Sequence, residues 1–343
     1  MATPVDSKLR VFLRRLPIIH HLRQSVGLQR GMLIAGLIIT GIFLLVAIFA
    51  PLLAPYGFST LRDENGTFGA QQPPGGEHLL GTTVGGYDVL SRVIWGAQTA
   101  ALVIIVAVIL SIFIGVFLGL ISGYIGGWLD RVLVVIADAV YAFPSLLLAI
   151  VAAIAISGGQ SSFLGGIFAA AISITVVFIP QYFRVIRAET IRIKSEAYVE
   201  SAKVVGSSTP RILFRHVLRN ATRTLPLIFT LNSSEAILTL AGLGFLGFGI
   251  EPTAAAEWGY DLNKSISDVT SGIWWTSVFP GAAIVLVVLG ITLVGESLND
   301  LADPRLRTRR RADSTPSPTA ETSAVPGGSI SGIVPVNGLD LRP

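Results

Sequence analysis

The sequence contains no cysteine. Disulfide bonds and thiolate chemistry are therefore excluded, and cysteine usage says nothing about the redox compartment. Charge is scarce as well. Only 13% of residues are Asp, Glu, Lys or Arg, against about a quarter in a soluble globular protein. A chain of 343 residues with so few charges cannot clothe one or two soluble domains in a polar skin. None of His20, His21, His78 and His216 stands at a ligand spacing such as HExxH, so each reads as incidental and no metal site is expected. The four lysines are Lys8, Lys194, Lys203 and Lys264, and none follows a glycine. That excludes a GK[ST] phosphate cradle. No convergent set of acid, base and nucleophile stands out, which argues against an enzyme.

Apolar residues, by contrast, make up 52% of the chain. Uncharged apolar runs longer than about 18 residues read as membrane-spanning helices. The clearest cover 32–54, 97–121 and 277–295. The stretch 131–184 is too long for one span and is divided by "SGGQSS" at 157–162, and another span covers 224–250. The reading is an all-α polytopic membrane protein with six transmembrane helices. It comprises a leader over 1–31, a membrane domain over 32–305 and a tail over 306–343. The run at 32–54 follows a charged leader, but it exceeds a signal peptide's apolar region of about 7–15 residues. It reads as a retained anchor. The tail is rich in Ser, Thr, Pro and Gly, a composition that cannot offset ordering entropy and is expected to be mostly disordered.

Orientation follows from Lys and Arg, which concentrate in cytoplasmic loops. With both termini cytoplasmic, 22 of these residues lie inside and three outside. Loops 55–97 and 250–276 are then extracytoplasmic, and loop 184–225 is cytoplasmic. The leader, broken by Pro17, reads as a positive-inside tail or as a helix along the inner membrane face. Outside, "QQPPGG" at 71–76 is turn-rich, and Trp258, Tyr260, Trp274 and Trp275 suit a docking face or an interfacial aromatic belt.

One segment breaks the apolar pattern: "EAYVESAKVVGSSTPRILFRHVLRN" at 196–220. Glu196, Glu200 and Lys203 alternate with small residues as on a short helix, and a Glu200–Lys203 pair would add roughly 0.2–0.5 kcal/mol. Gly206 suits the left-handed position that ends a helix. Thr209 as N-cap and Pro210 at the first position restart one. Arg211, Arg215, Arg219 and Arg223 recur every four residues and form one basic stripe. On physics alone two readings stand: a connector whose arginines sit among anionic head groups, or a docking element for a cytoplasmic partner.

The insert resembles the EAA loop of ABC-importer permease subunits. Further stretches resemble the peptide and nickel branch of that family: "HLLGTTVGGYDVLSRVIWGA" at 78–97, "AFPSLLLAI" at 142–150, "GFLGFGIEP" at 244–252, "EWG" at 257–259 and "NDLADPR" at 299–305. The resemblance covers about 30–305. It implies a type I ABC importer permease fold in the bacterial inner membrane. The implied partners are a second homologous permease, two ATP-binding subunits that carry ATP and Mg, and an extracytoplasmic solute-binding protein; nucleic acid is not among them. This chain would bind no cofactor. Carried onto this sequence, the motif glutamate is Glu200, its second alanine Ala202 and its glycine Gly206, with Ser207, Pro210, Arg211 and Arg215 in the same coupling surface. Three positions depart from the pattern. Ser201 replaces the first alanine, Arg219 stands at the family's proline and so lets the second helix continue, and "TVGGYD" at 83–88 replaces "DDLGRD".

Two acids fall inside apolar spans, Asp138 and Glu235. A mid-membrane charge costs roughly 2.5–3.5 kcal/mol by insertion scales and faces a polar interior or a partner. Both are candidates for the translocation path. Asp138 can equally bond helix to helix, and Glu235 can lie near the inner end. Pro144 and Pro180 are expected to kink their helices, and the glycines of "AGLGFLGFG" at 241–249 permit close packing. The function expected is a non-enzymatic permease subunit moving peptides or similar small solutes. The alternative is an ion-coupled transporter or channel that needs no ATPase, for which more intramembrane acids and broken helices are expected.

Overall fold

A computed structural model describes residues 28–64, 66–157 and 163–302. The leader to residue 27, the linker at 158–162 and the tail from 303 lie outside the described residues, and so do the expectations placed on them.

Five helices are long and apolar enough to cross a membrane, or six when one bent pair is taken as a single span. The first, α1, is Leu28–Ile48, and a short turn of helix at Ala50–Leu53 follows it. Helix α2 runs Val89–Ile125, eight residues ahead of the expected start at 97, because Asp88 caps it through the Ser91 N–H. Its 37 residues, at about 1.5 Å each, give roughly 55 Å against a hydrocarbon core of about 30 Å. Its first turns therefore stand beyond the apolar slab and build the end of the bundle.

The bent pair follows α2. Helix α3 (Gly127–Tyr141) and α4 (Ser145–Ser157) meet at 98°. Pro144 sits at this break and cannot donate the hydrogen bond that would carry the helix through. Pro180 behaves otherwise, lying within an unbroken α5 (Phe163–Lys194), ten residues longer than the expected end at 184. The helical insert α6 is Ala197–Val204. A helical run from Thr209 then leads into α7 (Leu225–Phe245) without interruption, as Arg219 in place of proline allows. Short helices α8 (Trp258–Lys264) and α9 (Ile266–Thr270) occupy the 250–274 connection, and α10 is Trp275–Ala302. A two-residue hairpin pairs β1 (Arg62–Asp63) with β2 (Gly66–Thr67) in the 54–88 connection.

The two ends of the bundle differ. Residues 54–88 and 246–274 form a folded cap at one end, and the 195–224 insert closes the other. Between them a core of Phe43, Val103, Ala107, Ala171, Ile174, Phe178, Leu240 and Ile291 joins the spans, while Ile109, Phe113 and Phe117 of α2 face outward. Small residues decide where backbones touch. Gly115, Gly119 and Gly123 line one side of α2, and a Cβ on Gly119 would come within 2.7 Å of the Phe183 carbonyl. This spacing of four is a helix-packing signal that the sequence reading passed over. Buried hydroxyls turn back on their own helices: Ser111 donates to the Ala107 carbonyl at 2.6 Å and Thr175 to Ala171 at 2.8 Å.

Candidate functional site

The insert is a compact helix–turn–helix mounted on its own apolar seam. Val199 is fully buried with Leu120, Ile186, Ile193, Ile212, Val217 and Ala221, and burying one such side chain stabilises by about 1.5–3 kcal/mol. The buried positions Ile212, Val217 and Ala221 are spaced five and then four apart. The backbone accommodates this with a π-helical stretch at Ile212–Val217, followed by an α-helical turn at Leu218–Ala221 and a 3-10 turn at Thr222–Thr224. The wider turn keeps the seam on one face, and Arg211, Arg215, Arg219 and Arg223 all remain exposed. Such π segments are rare and cluster at functional sites.

Helix α6 ends in a Schellman turn. Gly206 has φ +84°, its N–H donates to the Lys203 carbonyl at 2.9 Å, and the Ser207 N–H donates to Ala202 at 3.0 Å. A Cβ on Gly206 would meet nothing within 4 Å, so the glycine is required by the backbone and not by crowding. The restart differs from expectation. Ser208, not Thr209, holds the N-cap position, its carbonyl accepting the Ile212 N–H at 3.0 Å. Pro210 falls in the first turn, where its missing donor costs nothing. The expected Glu200–Lys203 pair does not form either; the Lys203 ammonium lies 6.0 Å from the Tyr124 ring centroid on α2. Glu200, Ser201, Gly206, Pro210, Arg211 and Arg215 are exposed, and Ala202 and Ser207 half-buried. At the tip, Val204 and Val205 are 88% and 85% exposed. The expected coupling residues thus lie on the exposed helix–turn–helix that also carries this apolar tip.

The two intramembrane acids separate. Asp138 on α3 is held by Arg184 of α5 at 2.6 Å, and the guanidinium lies 4.5 Å from the Tyr141 ring centroid. A second pair joins the same helices, with Arg187 bidentate to Asp130 at 2.5 and 2.7 Å. Glu235 on α7 instead borders a cavity of about 240 Å³ beside the α3–α4 break.

The cap holds buried ionisable groups, of which only His78 was named from the sequence, as incidental. Arg92 is 1% exposed; its Nε donates to both Asp261 oxygens, at 2.7 and 2.8 Å, and its Nη1 to the Phe58 carbonyl at 3.1 Å. His78 Nδ1 lies 2.9 Å from Asp88 Oδ1, both buried. Glu257 accepts the N–H groups of Gly259 and Tyr260 at 2.8 Å. Burial outweighs those two bonds and raises its carboxyl to about 8; burial also raises Asp261, against the pull of Arg92. The only signal for His78, Asp88, Arg92 and Glu257 was their place within the stretches 78–97 and 257–259; Asp261 lies outside both.

A helical membrane bundle with a short helical insert exposed at one end and a folded cap at the other is a scaffold suited to a membrane transport subunit. The family comparison agrees. Residues 115–308 match the binding-protein-dependent transport system inner membrane component, and residues 29–74 match the N-terminal transmembrane domain of oligopeptide transport permease C. The chain belongs to the binding-protein-dependent transport permease family and is a permease subunit of an ABC importer. It is 38% identical over 275 residues to the dipeptide transport system permease protein DppC of Alkalihalophilus pseudofirmus, covering 80% of this chain and 86% of that protein. It is 37% identical over 285 residues to the glutathione transport system permease protein GsiD of Salmonella typhimurium, covering 83% of this chain and 88% of that one.

Proposed function

We propose that the chain forms half of the translocation path of an importer for peptides or similar small solutes, beside a second, homologous permease. It sits in the bacterial inner membrane with both termini cytoplasmic. Two cytoplasmic ATPases, which carry the ATP and Mg²⁺, seat on the insert, and an extracytoplasmic binding protein delivers solute at the capped end. Asp138 and Glu235 border the path. The solute class is taken from relatives named for dipeptide and glutathione transport. The orientation rests on the 22-to-3 division of Lys and Arg.

The observation that carries the coupling reading is the tip itself. Val204 and Val205 stand in the open, on an insert that also exposes Glu200, Arg211 and Arg215 and whose seam ties α5 to α7. A push on the tip therefore moves two spans together. A connector resting among head groups has no need of a rigid turn at Gly206. The test is Gly206→Val, where a β-branched residue meets a left-handed backbone at a cost of roughly 1–2 kcal/mol without internal clash. The variant is expected to insert and pair with the partner permease, yet to lose ATPase co-purification and uptake. Retention of both would leave the insert a connector. Single cysteines at Ser208 and Thr67, labelled with an impermeant thiol reagent in intact cells, check the orientation: Thr67 is expected to react and Ser208 to resist.

A further inference from the structure

The two acids on the proposed path differ in what satisfies them. Asp138 already has its cation, Arg184. Among the described residues, the Glu235 carboxylate meets neither an ion-pair partner nor a hydrogen-bond donor, and it is exposed to the cavity at the helix break. A carboxylate that is ionised only accepts hydrogen bonds, so a ligand that completes the site brings donors, and a cationic donor also matches its charge.

The rest of the lining narrows that ligand. Tyr141, Phe143 and Phe178 present aromatic rings, and Gln181 and Ser145 supply the other polar side chains. Aromatic faces attract an organic cation through the ring quadrupole. A divalent metal would need several oxygen ligands, and no group of three His, Asp or Glu side chains gathers among the described residues. At about 240 Å³ the cavity has room for the amino-terminal end of a longer peptide.

We propose that this cavity is a cation subsite of the path and takes the α-ammonium group of a peptide. The ammonium sits on Glu235, its charge faces the Phe143 ring while Tyr141 already carries Arg184, and Gln181 and Ser145 bond the first peptide unit. The inference rests on the peptide-import reading above and adds the chemical group that is recognised. The break between α3 and α4 matters because it opens the wall at this level. A transit site binds weakly enough to release, so millimolar occupancy is expected.

The test uses the complete permease–ATPase complex in lipid nanodiscs without binding protein, and saturation-transfer NMR with three probes: butylammonium, trialanine and N-acetyl-trialanine. Wild type is expected to transfer to the first two and at least fivefold less to the acetylated peptide. Glu235→Gln is expected to lose at least fivefold on butylammonium and trialanine, and Glu235→Asp to retain part of the signal. Equal transfer to the acetylated peptide, an undiminished butylammonium signal in Glu235→Gln, or no transfer to any probe overturns the subsite. The last result is what a residue of the partner permease covering Glu235 would give. ATP-driven peptide uptake by the same complex with its binding protein separates the two readings. Uptake without ammonium discrimination removes the subsite alone; absent uptake and absent ATPase stimulation in wild type remove the importer reading beneath it.

Discussion

The two ends of this bundle treat charge in opposite ways. At the capped end Arg92, Asp261, Glu257, His78 and Asp88 are buried and matched with one another or with backbone groups. At the insert end Glu200, Lys203, Arg211 and Arg215 are exposed, and the apolar tip of Val204 and Val205 is exposed with them. A buried pair is costly to separate and so fixes one geometry. An exposed tip contributes almost nothing until a partner covers it. The cap therefore reads as a fixed frame that keeps the ends of α2, α7 and α10 in place, and the insert as a handle. The break between α3 and α4 lies between them, where α3 is pinned to α5 by Asp130–Arg187 and Asp138–Arg184, the helix that continues towards the handle.

Removing one side of the buried pair tests the frame most severely. Arg92→Leu leaves Asp261 buried without its cation and is expected to cost about 3–5 kcal/mol, read as loss of monodisperse protein and a large fall in melting temperature in detergent. The double variant Arg92→Leu/Asp261→Leu is expected to recover much of that loss, because no buried charge remains without a partner. A double variant no better than the single would mean that the pair does not act as a unit.

A smaller effect sharpens the same contrast. The Glu257 carboxyl is raised from 4.5 to about 8 by burial, so the folded state holds a proton that the unfolded chain releases. That contribution is fully present below about pH 4.5, and it is lost as pH rises through about 8. Asp261 is raised in the same sense. Melting temperature is expected to fall from pH 5 to pH 9 in wild type and to fall less in Glu257→Gln. Parallel curves for the two would remove Glu257 as a cause.

The smallest effect on stability belongs to the handle. Val204→Asp with Val205→Asp changes two strongly exposed side chains, and the melting temperature is expected to stay within the equivalent of about 0.5 kcal/mol of wild type. ATPase co-purification is expected to drop sharply all the same. If the pair of aspartates destabilises the permease while leaving the ATPases bound, the contrast between frame and handle fails.

The five long apolar helices were legible because transfer into lipid depends on local composition, and a window of about 18 residues samples it fully. The same holds for the turn at Gly206, which a short-range backbone preference decides, and for the exposed stripe of arginines. The start of α2 was not legible. Ser91 and Arg92 look like loop residues until Asp88 caps the helix and Asp261, 169 positions away, receives the guanidinium. Pro144 announced a bend, but not one of 98°, since the angle depends on what α3 and α4 pack against. Asp138 and Glu235 looked alike as isolated acids in apolar runs. Which of them found a cation was settled by Arg184 arriving from another helix. Composition within one segment fixes partitioning and local turns; the choice of partner for a buried charge requires segments far apart in the chain to meet, and only the packed bundle decides that.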